Sequence, residues 1–292
     1  NDAGLIQVGG DLVINTHGKT LTNTNAANYT SSNAALNGKG GIAAQGTSTF
    51  TTGDINNDAG YIGSKGTLSA TSSNISNTQN GQIQGLDNVT LAVGAGAINN
   101  TGGLVRSGAT ASLSAGAVTN SNTLSTTNAD LGIEGKSVAI SVATLSNDSG
   151  AIRATKNLSV ASAGTVNNNA GLMSAGDTLN VQDSQAASSR TLAISNTAGT
   201  LIADKTLTVV ASSLGGNGKV LSKSDLSITL NTDFSNSGQV IANGNATLTT
   251  TGNVTNSGKL QAGDTLKLTA NIIDNTATGE ISGNTTQITA NS

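Results

Sequence analysis

The chain has 292 residues, a formal net charge of −3 and 10% charged residues, so it offers no basic stripe that could bind nucleic acid. It contains no Cys, which excludes a disulfide framework and thiolate metal sites, and no apolar run approaches the roughly 18 residues of a membrane-spanning helix. With two Tyr, two Phe, no Trp and 37 Gly, it also lacks the large side chains of an ordinary globular core. Small aliphatic residues nevertheless recur at regular positions, which favours an ordered repeat over a disordered chain.

The first residues already belong to a repeat. The chain begins with NDAG at residues 1–4, and the same four letters return at residues 57–60. Because the chain does not begin with Met and starts in mid-repeat, we expect it to be a fragment of a longer protein. The fuller form is INNDAGYIGSKGTLSA at residues 55–70, and close variants follow at residues 145–160 and 254–270.

Each repeat predicts two or three short strands. An aliphatic residue, any residue and Asn are followed by a Gly, and a second aliphatic residue lies two places after that Gly. Apolar and polar residues then alternate, which is typical of a strand with one buried face. In the copy at residues 55–70, we expect Ile55, Ile62 and Leu68 to face the interior. No segment has a convincing helical period, so helices are not expected.

The repeat returns about every 20 residues, which predicts a parallel β-solenoid. Each repeat would form one coil whose strands pair in register with those of the adjoining coils. Since parallel crossovers are right-handed in nearly all proteins, we predict an all-β fold, a right-handed parallel β-helix of roughly 13 coils with about 20 residues per coil. The repeat runs through residues 1–292 as a single domain, with loop insertions near residues 23–36, 121–130 and 183–190.

The Asn and Gly of the repeat define its corners. Gly adopts a positive φ without strain, and Asn does so more easily than most residues, so both suit a tight turn. A corner that recurs in every coil would also place Asn above Asn at the strand spacing, where the side-chain amides can bond in a ladder. We therefore predict a structural corner ladder that consists of Asn57, Asn77, Asn100, Asn120, Asn147, Asn168, Asn196, Asn236, Asn256 and Asn275, with Gly60, Gly81, Gly103, Gly150, Gly171, Gly238 and Gly258.

The three insertions are the places where a solenoid most often acquires recognition. Tyr29 in the first insertion and Arg190 in the third are candidate contacts with a receptor on a host cell or target bacterium, or with a glycan. The other residues of these segments are small and polar, unlike binding hot spots. Tolerated loops without a binding role are therefore the alternative.

A carbohydrate-active β-helix would need several carboxylates on adjacent coils. Asp177, Asp204 and Asp225 follow the repeat Gly in three consecutive coils and form the best candidate column. The alternatives for this column are a solvated corner, a weak calcium site and a catalytic site, and the preference of Asp for tight turns favours the first. His17, the single histidine, is expected at the surface. We assign no catalytic, cofactor-binding or metal-binding residue and predict that the chain is not an enzyme.

The combined pattern of aliphatic residue, Asn, Gly and alternating strand resembles the filamentous haemagglutinin repeat. The resemblance covers nearly all of the chain, and many copies in phase are far more specific than any single one. It implies a right-handed β-helix and a shaft segment of a very large exoprotein secreted by the two-partner pathway of Gram-negative bacteria. Such exoproteins include adhesins and contact-dependent growth-inhibition toxins, which act in virulence at the cell surface.

The function that this resemblance implies is structural, a shaft that holds adhesive or toxic domains away from the cell. Its partner would be the outer-membrane transporter of the two-partner pathway, through an N-terminal secretion domain that we expect to lie outside this chain. The Asn-Pro motifs of that domain are absent, because the chain contains no Pro. The alternatives are a segment that itself binds a host glycan or a target-cell receptor and, more remotely, a polysaccharide lyase or hydrolase. No cofactor, nucleic-acid partner or membrane span is expected.

Overall fold

The computed structural model describes residues 1–125 and 131–291. The chain is an all-β solenoid of parallel stacked coils, with about 12 turns of about 21 residues each. This confirms the predicted fold class, and it is close to the predicted number and length of the coils. The right-handed sense of the coil stays a prediction. No helix within the described residues is long and apolar enough to cross a membrane. The chain divides into two compact units, residues 1–142 and residues 143–292.

Unit 1 is built from short strands separated by corners. In chain order they are β1 (Leu5–Val8), β2 (Leu12–Asn15), β3 (Leu21–Thr22), β4 (Gly41–Ala44), β5 (Ser48–Thr51), β6 (Asp54–Asn56), β7 (Tyr61–Ser64), β8 (Leu68–Thr71), β9 (Asn74–Ser76), β10 (Gln82–Gly85), β11 (Val89–Ala92), β12 (Ala97–Asn99), β13 (Leu104–Ser107), β14 (Thr110–Thr119), β15 (Gly132–Gly135) and the start of β16 (Ser137–Ser146). Two 3-10 helices, Ala26–Asn28 and Ala34–Leu36, lie between β3 and β4.

Each coil of unit 1 presents three faces, and each face is a stack of parallel strands. β1, β4, β7, β10, β13 and β15 form the first face. β5, β8 and β11 pair on the second face, and β6 and β9 pair on the third. The long strand β14 pairs with both β11 and β12, so it serves the second and third faces without a break.

Aliphatic columns fill the interior of unit 1. On the first face the register places Ile42, Ile62 and Ile83 in successive positions, and each side chain is at most 1% exposed. Burial of one such side chain stabilises the fold by about 1.5–3 kcal/mol. Ile55 and Leu68 are buried with Ile62, as the alternation predicts. Columns of similar aliphatic residues thus take the place of an aromatic-rich core.

Unit 2 repeats the same plan. In chain order it contains β17 (Ala151–Ala154), β18 (Leu158–Asn167), β19 (Leu172–Ala175), β20 (Thr178–Asp183), β21 (Ala193–Ser195), β22 (Thr200–Ala203), β23 (Thr206–Val210), β24 (Ser213–Gly215), β25 (Lys219–Ser222), β26 (Leu226–Leu230), β27 (Phe234–Asn236), β28 (Gln239–Ala242), β29 (Ala246–Thr250), β30 (Val254–Asn256), β31 (Lys259–Ala262), β32 (Thr265–Ala270), β33 (Ile273–Asn275), β34 (Glu280–Ser282) and β35 (Thr285–Ala290). A 3-10 helix, Ala187–Ser189, lies between β20 and β21. Leu201, Val220, Val240 and Leu260 form an inward column like that of unit 1.

Candidate functional site

The corner asparagines of unit 1 form a ladder of side-chain hydrogen bonds. In each step the Nδ2 of one residue donates to the Oδ1 of the next over 2.7 or 2.8 Å. The side chains from Asn23 to Asn120 are 0% exposed, so water does not compete for these bonds. The ladder links Asn1, Asn23, Asn57, Asn77, Asn100 and Asn120 in that order.

The same amide nitrogens also donate to the backbone. Nδ2 of Asn57 donates to the carbonyl of Gln82 over 3.0 Å, and Nδ2 of Asn77 donates to that of Leu104 over 2.9 Å. Because a carbonyl oxygen can only accept, these contacts determine which atom of each amide is the nitrogen. The ladder therefore requires an amide, since a carboxylate in its place would face acceptor oxygens with no hydrogen to donate.

In unit 2 the ladder consists of two parts. The amide-to-amide distances are again 2.7 or 2.8 Å. The first part links Asn147, Asn168 and Asn196, and the second links Asn236, Asn256 and Asn275.

Gly216 interrupts the ladder between these two parts. The strand register pairs Ser195 with Gly215, so the next residue, Gly216, takes the place opposite Asn196 where the other coils have Asn. A Cβ at Gly216 would lie 2.5 Å from the backbone nitrogen of Thr197, so this corner has no room for a side chain. Asn196 still donates to the carbonyl of Lys219 over 3.1 Å, which uses its amide without an Asn partner in the next coil.

The corner glycines are required by close approach between coils, and not by the positive φ for which Gly suits a tight turn. A Cβ at Gly60 would overlap the carbonyl oxygen of Asn23 in the preceding coil, and a Cβ at Gly171 would overlap that of Asn147. Within the described residues no positive φ occurs at the predicted corner glycines Gly60, Gly81, Gly103, Gly150, Gly171, Gly238 and Gly258.

The residue just before the corner Gly adopts the left-handed conformation in many coils. φ is 51° at Ala59 and Ala170, 63° at Asn80 and 61° at Gly102. For a residue other than Gly, this conformation costs roughly 1–2 kcal/mol of free energy relative to the right-handed one. Gly would relieve this backbone strain, but here the strained residue is the one before the corner Gly. At the corner position itself the neighbouring coil leaves room only for Gly.

A second set of polar contacts surrounds the corner. Oδ1 of Asp58 accepts from Ser76 Oγ over 2.6 Å and from the backbone N–H of Thr78 over 2.9 Å, both in the next coil. Asn169 accepts in the same way from its own next coil. Burial alone would raise the pKa of Asp58, but the hydrogen bonds from Ser76 and Thr78 outweigh it and hold this pKa below its ordinary value. Asp58 is therefore ionised, and its carboxylate binds the corner of the next coil.

Asp177, Asp204 and Asp225 do not share one column, which corrects the candidate acidic column. The register pairs Thr178 with Thr206, so Asp177 comes beside Lys205, whose Nζ lies 2.6 Å from Asp177 Oδ1. Oδ1 of Asp204 lies 2.7 Å from the Nζ of Lys223. Oδ1 of Asp225 accepts a backbone N–H of the next coil over 2.9 Å. The hydrogen bond from Lys205 is the main cause that lowers the pKa of Asp177. Each carboxylate thus has a structural partner, and the described residues contain no group of three metal-ligating side chains.

The third insertion is held by a buried carboxylate that sequence reasoning missed. Oδ2 of Asp183 accepts the backbone N–H groups of Thr191 and Leu192, both over 2.6 Å, and Oδ1 accepts that of Gln185 over 2.8 Å. Burial alone would raise the pKa of Asp183, but these three N–H groups outweigh it and lower the pKa below its ordinary value. The one signal in the sequence was a lone Asp at the end of an alternating strand.

Arg190, a predicted binding residue, is engaged by its own unit. Its Nη1 donates to Oδ1 of Asn231 over 3.1 Å. Nδ2 of Asn231 in turn donates to the carbonyl of Ala187 over 3.0 Å. The third insertion therefore folds back onto a later coil of unit 2.

The first insertion lies inside a corner that is otherwise complete. Asn25 has a φ of 55°, the conformation found just before the corner Gly in other coils. Gly40 occupies the place of the corner Gly, since a Cβ there would come within 2.8 Å of the carbonyl of Gly4 in the preceding coil. Residues 26–39 form a closed loop between these two positions, in which Gly40 N–H donates to the carbonyl of Ala26 over 3.0 Å.

Tyr29, the other predicted binding residue, is half-buried in this loop. Its carbonyl accepts the N–H of Gly38 over 2.8 Å. A cavity of about 700 Å³ lies beside the loop, and its aromatic lining residue is Tyr61. Tyr61 lies in the regular strand β7 and not in an insertion, so the sequence provided no reason to single it out.

His17 is exposed, as expected. Of the second insertion, residues 126–130 lie outside the described residues.

The stacked coils and their corner ladder define a class of protein in which similar coils are added one after another. Five overlapping segments match the family described as Haemagglutinin repeat: residues 1–92, 67–135, 125–203, 186–258 and 241–292. The chain belongs to the haemagglutinin repeat family, which confirms the resemblance seen in the sequence. This family is structural and adhesive and not enzymatic, and its proteins are typically secreted surface proteins. No curated protein and no solved structure gives a significant match to the chain.

Proposed function

We propose that this chain is a shaft segment of a large secreted exoprotein, which displays adhesive or toxic domains away from the cell surface. The observation that carries the proposal is the run of haemagglutinin repeats from residue 1 to residue 292, most of them with the same hydrogen-bonded corner. In a solenoid, length grows with the number of coils, and each coil adds roughly 4.8 Å. A chain in which most contacts connect adjoining coils is suited to act as a spacer.

The proposed setting is the outer surface of a Gram-negative bacterium. The segment would reach it by two-partner secretion, with an outer-membrane transporter as the partner during export. The absence of Cys and Pro suits a chain that crosses a membrane unfolded, because neither disulfides nor prolyl isomerisation would delay folding outside. The distal domain would be an adhesin or a growth-inhibition toxin. Within this proposal the segment itself carries no catalytic activity.

The experiment changes the number of coils in the full-length parent protein. Lys219 pairs with Gln239, and Gln239 pairs with Lys259, so residues 219–238 and residues 239–258 are each one complete coil. Either coil can be deleted without disturbing the register of the rest. Tandem copies of residues 219–258 can also be inserted after residue 258, and ten such copies would add roughly 100 Å.

We expect the extended proteins to be secreted and visibly longer by electron microscopy. The two single-coil deletions should have equal and small effects on adhesion or toxicity. A deletion of residues 239–248, half a coil, is the control, because it breaks the register and should prevent folding. If deletion of one coil abolished activity while deletion of its neighbour did not, the spacer proposal would fail.

A further inference from the structure

The cavity in unit 1 lies between the first insertion and the outer side of the first face. Loop residues Ala26, Leu36 and Lys39 form one wall. The opposite wall contains corner residues and also strand residues from four successive coils, among them Gln7 and Tyr61. Its volume of about 700 Å³ lies within the range of about 300–1,000 Å³ that is typical of small-molecule sites.

Tyr61 provides an aromatic surface beside small residues. A Cβ at Gly63 would overlap the phenol oxygen of Tyr61, so the ring lies over Gly63 on the outer side of the strand. Gly41, in the neighbouring coil, is equally close to Tyr61, since a Cβ there would overlap its backbone oxygen. Ala43 pairs with Gly63 and lines the cavity. These small residues let the ring lie close against the sheet, where it lines the cavity.

Residues with amide side chains also line this cavity. Within the part of the chain that the structure describes, the side chains of Gln7, Gln79 and Asn80 line the cavity and make no hydrogen bond to protein. Oε1 of Gln82 accepts from Gln84 over 2.7 Å, which leaves the Gln82 amide nitrogen free to donate. Such side chains can both donate to and accept from a ligand.

The charge of the cavity narrows the class of ligand. Among its described lining residues Lys39 is the one charged side chain, and none is a carboxylate. A metal ion would need carboxylate or other strong ligands, and a polyphosphate would need several cations. A ligand with many hydroxyl groups and one apolar side fits better, because the amides can bond the hydroxyls. The C–H groups of its apolar side would be attracted to the negative face of the aromatic ring.

We propose that this cavity binds a saccharide, with one sugar ring stacked on Tyr61 and its hydroxyl groups bound by Gln7, Gln79 and Gln82. Lys39 at the rim is placed to contact a carboxylate where the sugar is acidic. Residues 26–39 close one side of the site, which explains why this loop is inserted into an otherwise complete corner. The proposal is independent of the spacer role, because a shaft can add length with or without a binding site.

The test begins with a printed array of neutral and acidic glycans, probed with the labelled 292-residue protein. Each glycan that binds is then titrated as a free oligosaccharide, and tyrosine fluorescence is recorded. The chain has two Tyr and no Trp, so the Tyr29→Phe variant makes Tyr61 the sole tyrosine reporter. We expect binding by this variant to change the fluorescence of Tyr61.

Three variants locate the site. Tyr61→Ala should weaken binding about tenfold or more, while Tyr61→Phe, which keeps the ring, should stay within about threefold of the original affinity. Deletion of residues 26–39 joins Asn25 to Gly40, restores an ordinary corner and should fold normally while it loses binding. Circular dichroism and thermal unfolding verify the fold of each variant. Binding to none of the arrayed glycans would overturn the proposal, as would equal binding by a folded Tyr61→Ala or loop-deleted protein.

Discussion

At the residue scale, two adjacent asparagines have opposite roles. Asn100 is buried, and its Nδ2 donates to Asn120 over 2.8 Å and to two backbone carbonyls over 3.2 Å. Asn99 is exposed, and its Oδ1 accepts from the N–H and the hydroxyl of Thr101. We expect Asn100→Asp to lower the free energy of unfolding by about 3–5 kcal/mol near neutral pH, because it would bury an unpaired carboxylate. Urea and thermal unfolding measure this loss.

The matched control is Asn99→Asp, which keeps both accepted bonds and should change stability by less than about 0.5 kcal/mol. The loss in Asn100→Asp should also shrink in acid. An unpaired buried carboxylate has a folded-state pKa above its unfolded value of about 3.9. The destabilisation is therefore complete above the folded pKa and disappears as the pH falls to the unfolded pKa. Equal losses in both variants would show that the amide ladder does not stabilise the corner.

Substitutions at Ala170 and Gly171 test separately the positive φ before the corner Gly and the close approach between coils at the Gly itself. Gly171→Ala should lower the free energy of unfolding by about 1–3 kcal/mol, because the new Cβ would overlap the carbonyl of Asn147. Ala170→Gly should raise it by about 0.5–1 kcal/mol, because relief of the φ of 51° outweighs the added freedom of the unfolded chain. Thermal unfolding compares them with Gly9→Ala, where a Cβ would meet nothing within 4 Å. A stabilising Gly171→Ala would contradict the close approach.

The corner shows which residue roles a sequence can reveal. Asn at a fixed period must stack when the coils stack, so a ladder through Asn57 and Asn77 follows from spacing alone. The role of Gly60 does not follow, because it depends on how closely its backbone approaches the carbonyl of Asn23. That distance is a property of two packed coils and is not encoded in any one repeat.

At the scale of single elements, the third insertion depends on Asp183. Asp183→Asn would replace one accepting oxygen with an NH2 group that faces backbone N–H donors. We expect it to lower the free energy of unfolding by about 1–3 kcal/mol and to make residues 183–192 more sensitive to limited proteolysis. Asp274→Asn, at an exposed site, is the control and should leave both measurements unchanged.

The contribution of Asp183 should also depend on pH. Because its folded-state pKa is lowered, the stabilisation is fully present above the unfolded pKa of about 3.9 and is lost as the pH falls through the folded pKa. The difference in thermal stability between wild type and Asp183→Asn should therefore narrow below about pH 4. A constant difference down to about pH 2 would argue that Asp183 acts through packing and not through its charge.

The elements themselves could be predicted from sequence better than the contacts between them. Alternation identified the strands, and the period identified their stacking. The relative positions of Asp177, Lys205 and Asp225 could not be read in this way, because corners and insertions differ in length by one or more residues between coils. A single residue of slip is enough to replace an acidic column with ion pairs.

At the scale of the whole molecule, repetition explains why the solenoid fold could be predicted from the sequence and why the exceptions to the repeat could not. Many copies of one pattern make the β-solenoid a secure prediction, because no single copy has to be read correctly. The same redundancy conceals the exceptions, such as Gly216, Asp183 and the cavity beside Tyr61. Each of these departs from the repeat, and what it does is determined by packing against its own neighbouring coils.

Contacts between adjoining coils predict how far the destabilising effect of one substitution should extend along the solenoid. Ile62 is 1% exposed between Ile42 and Ile83, so Ile62→Asp would bury a charge among aliphatic side chains at a loss of more than about 4 kcal/mol. In a solenoid each coil contacts mainly its adjoining coils. Amide hydrogen exchange, followed by mass spectrometry, should therefore become much faster in β4, β7 and β10. It should change little in β26, β29 and β32 of unit 2, where β29 pairs with both of the other strands.

Leu86→Asp is the control for this experiment, because Leu86 is 66% exposed and a charge there remains in water. It should leave exchange unchanged in both units. A uniform increase across both units in Ile62→Asp would mean that the chain unfolds as one cooperative body. In that case a defect in one coil would weaken all the others. A graded loss that fades within a few coils would instead mean that a long shaft can tolerate a damaged coil, as the proposed spacer role requires.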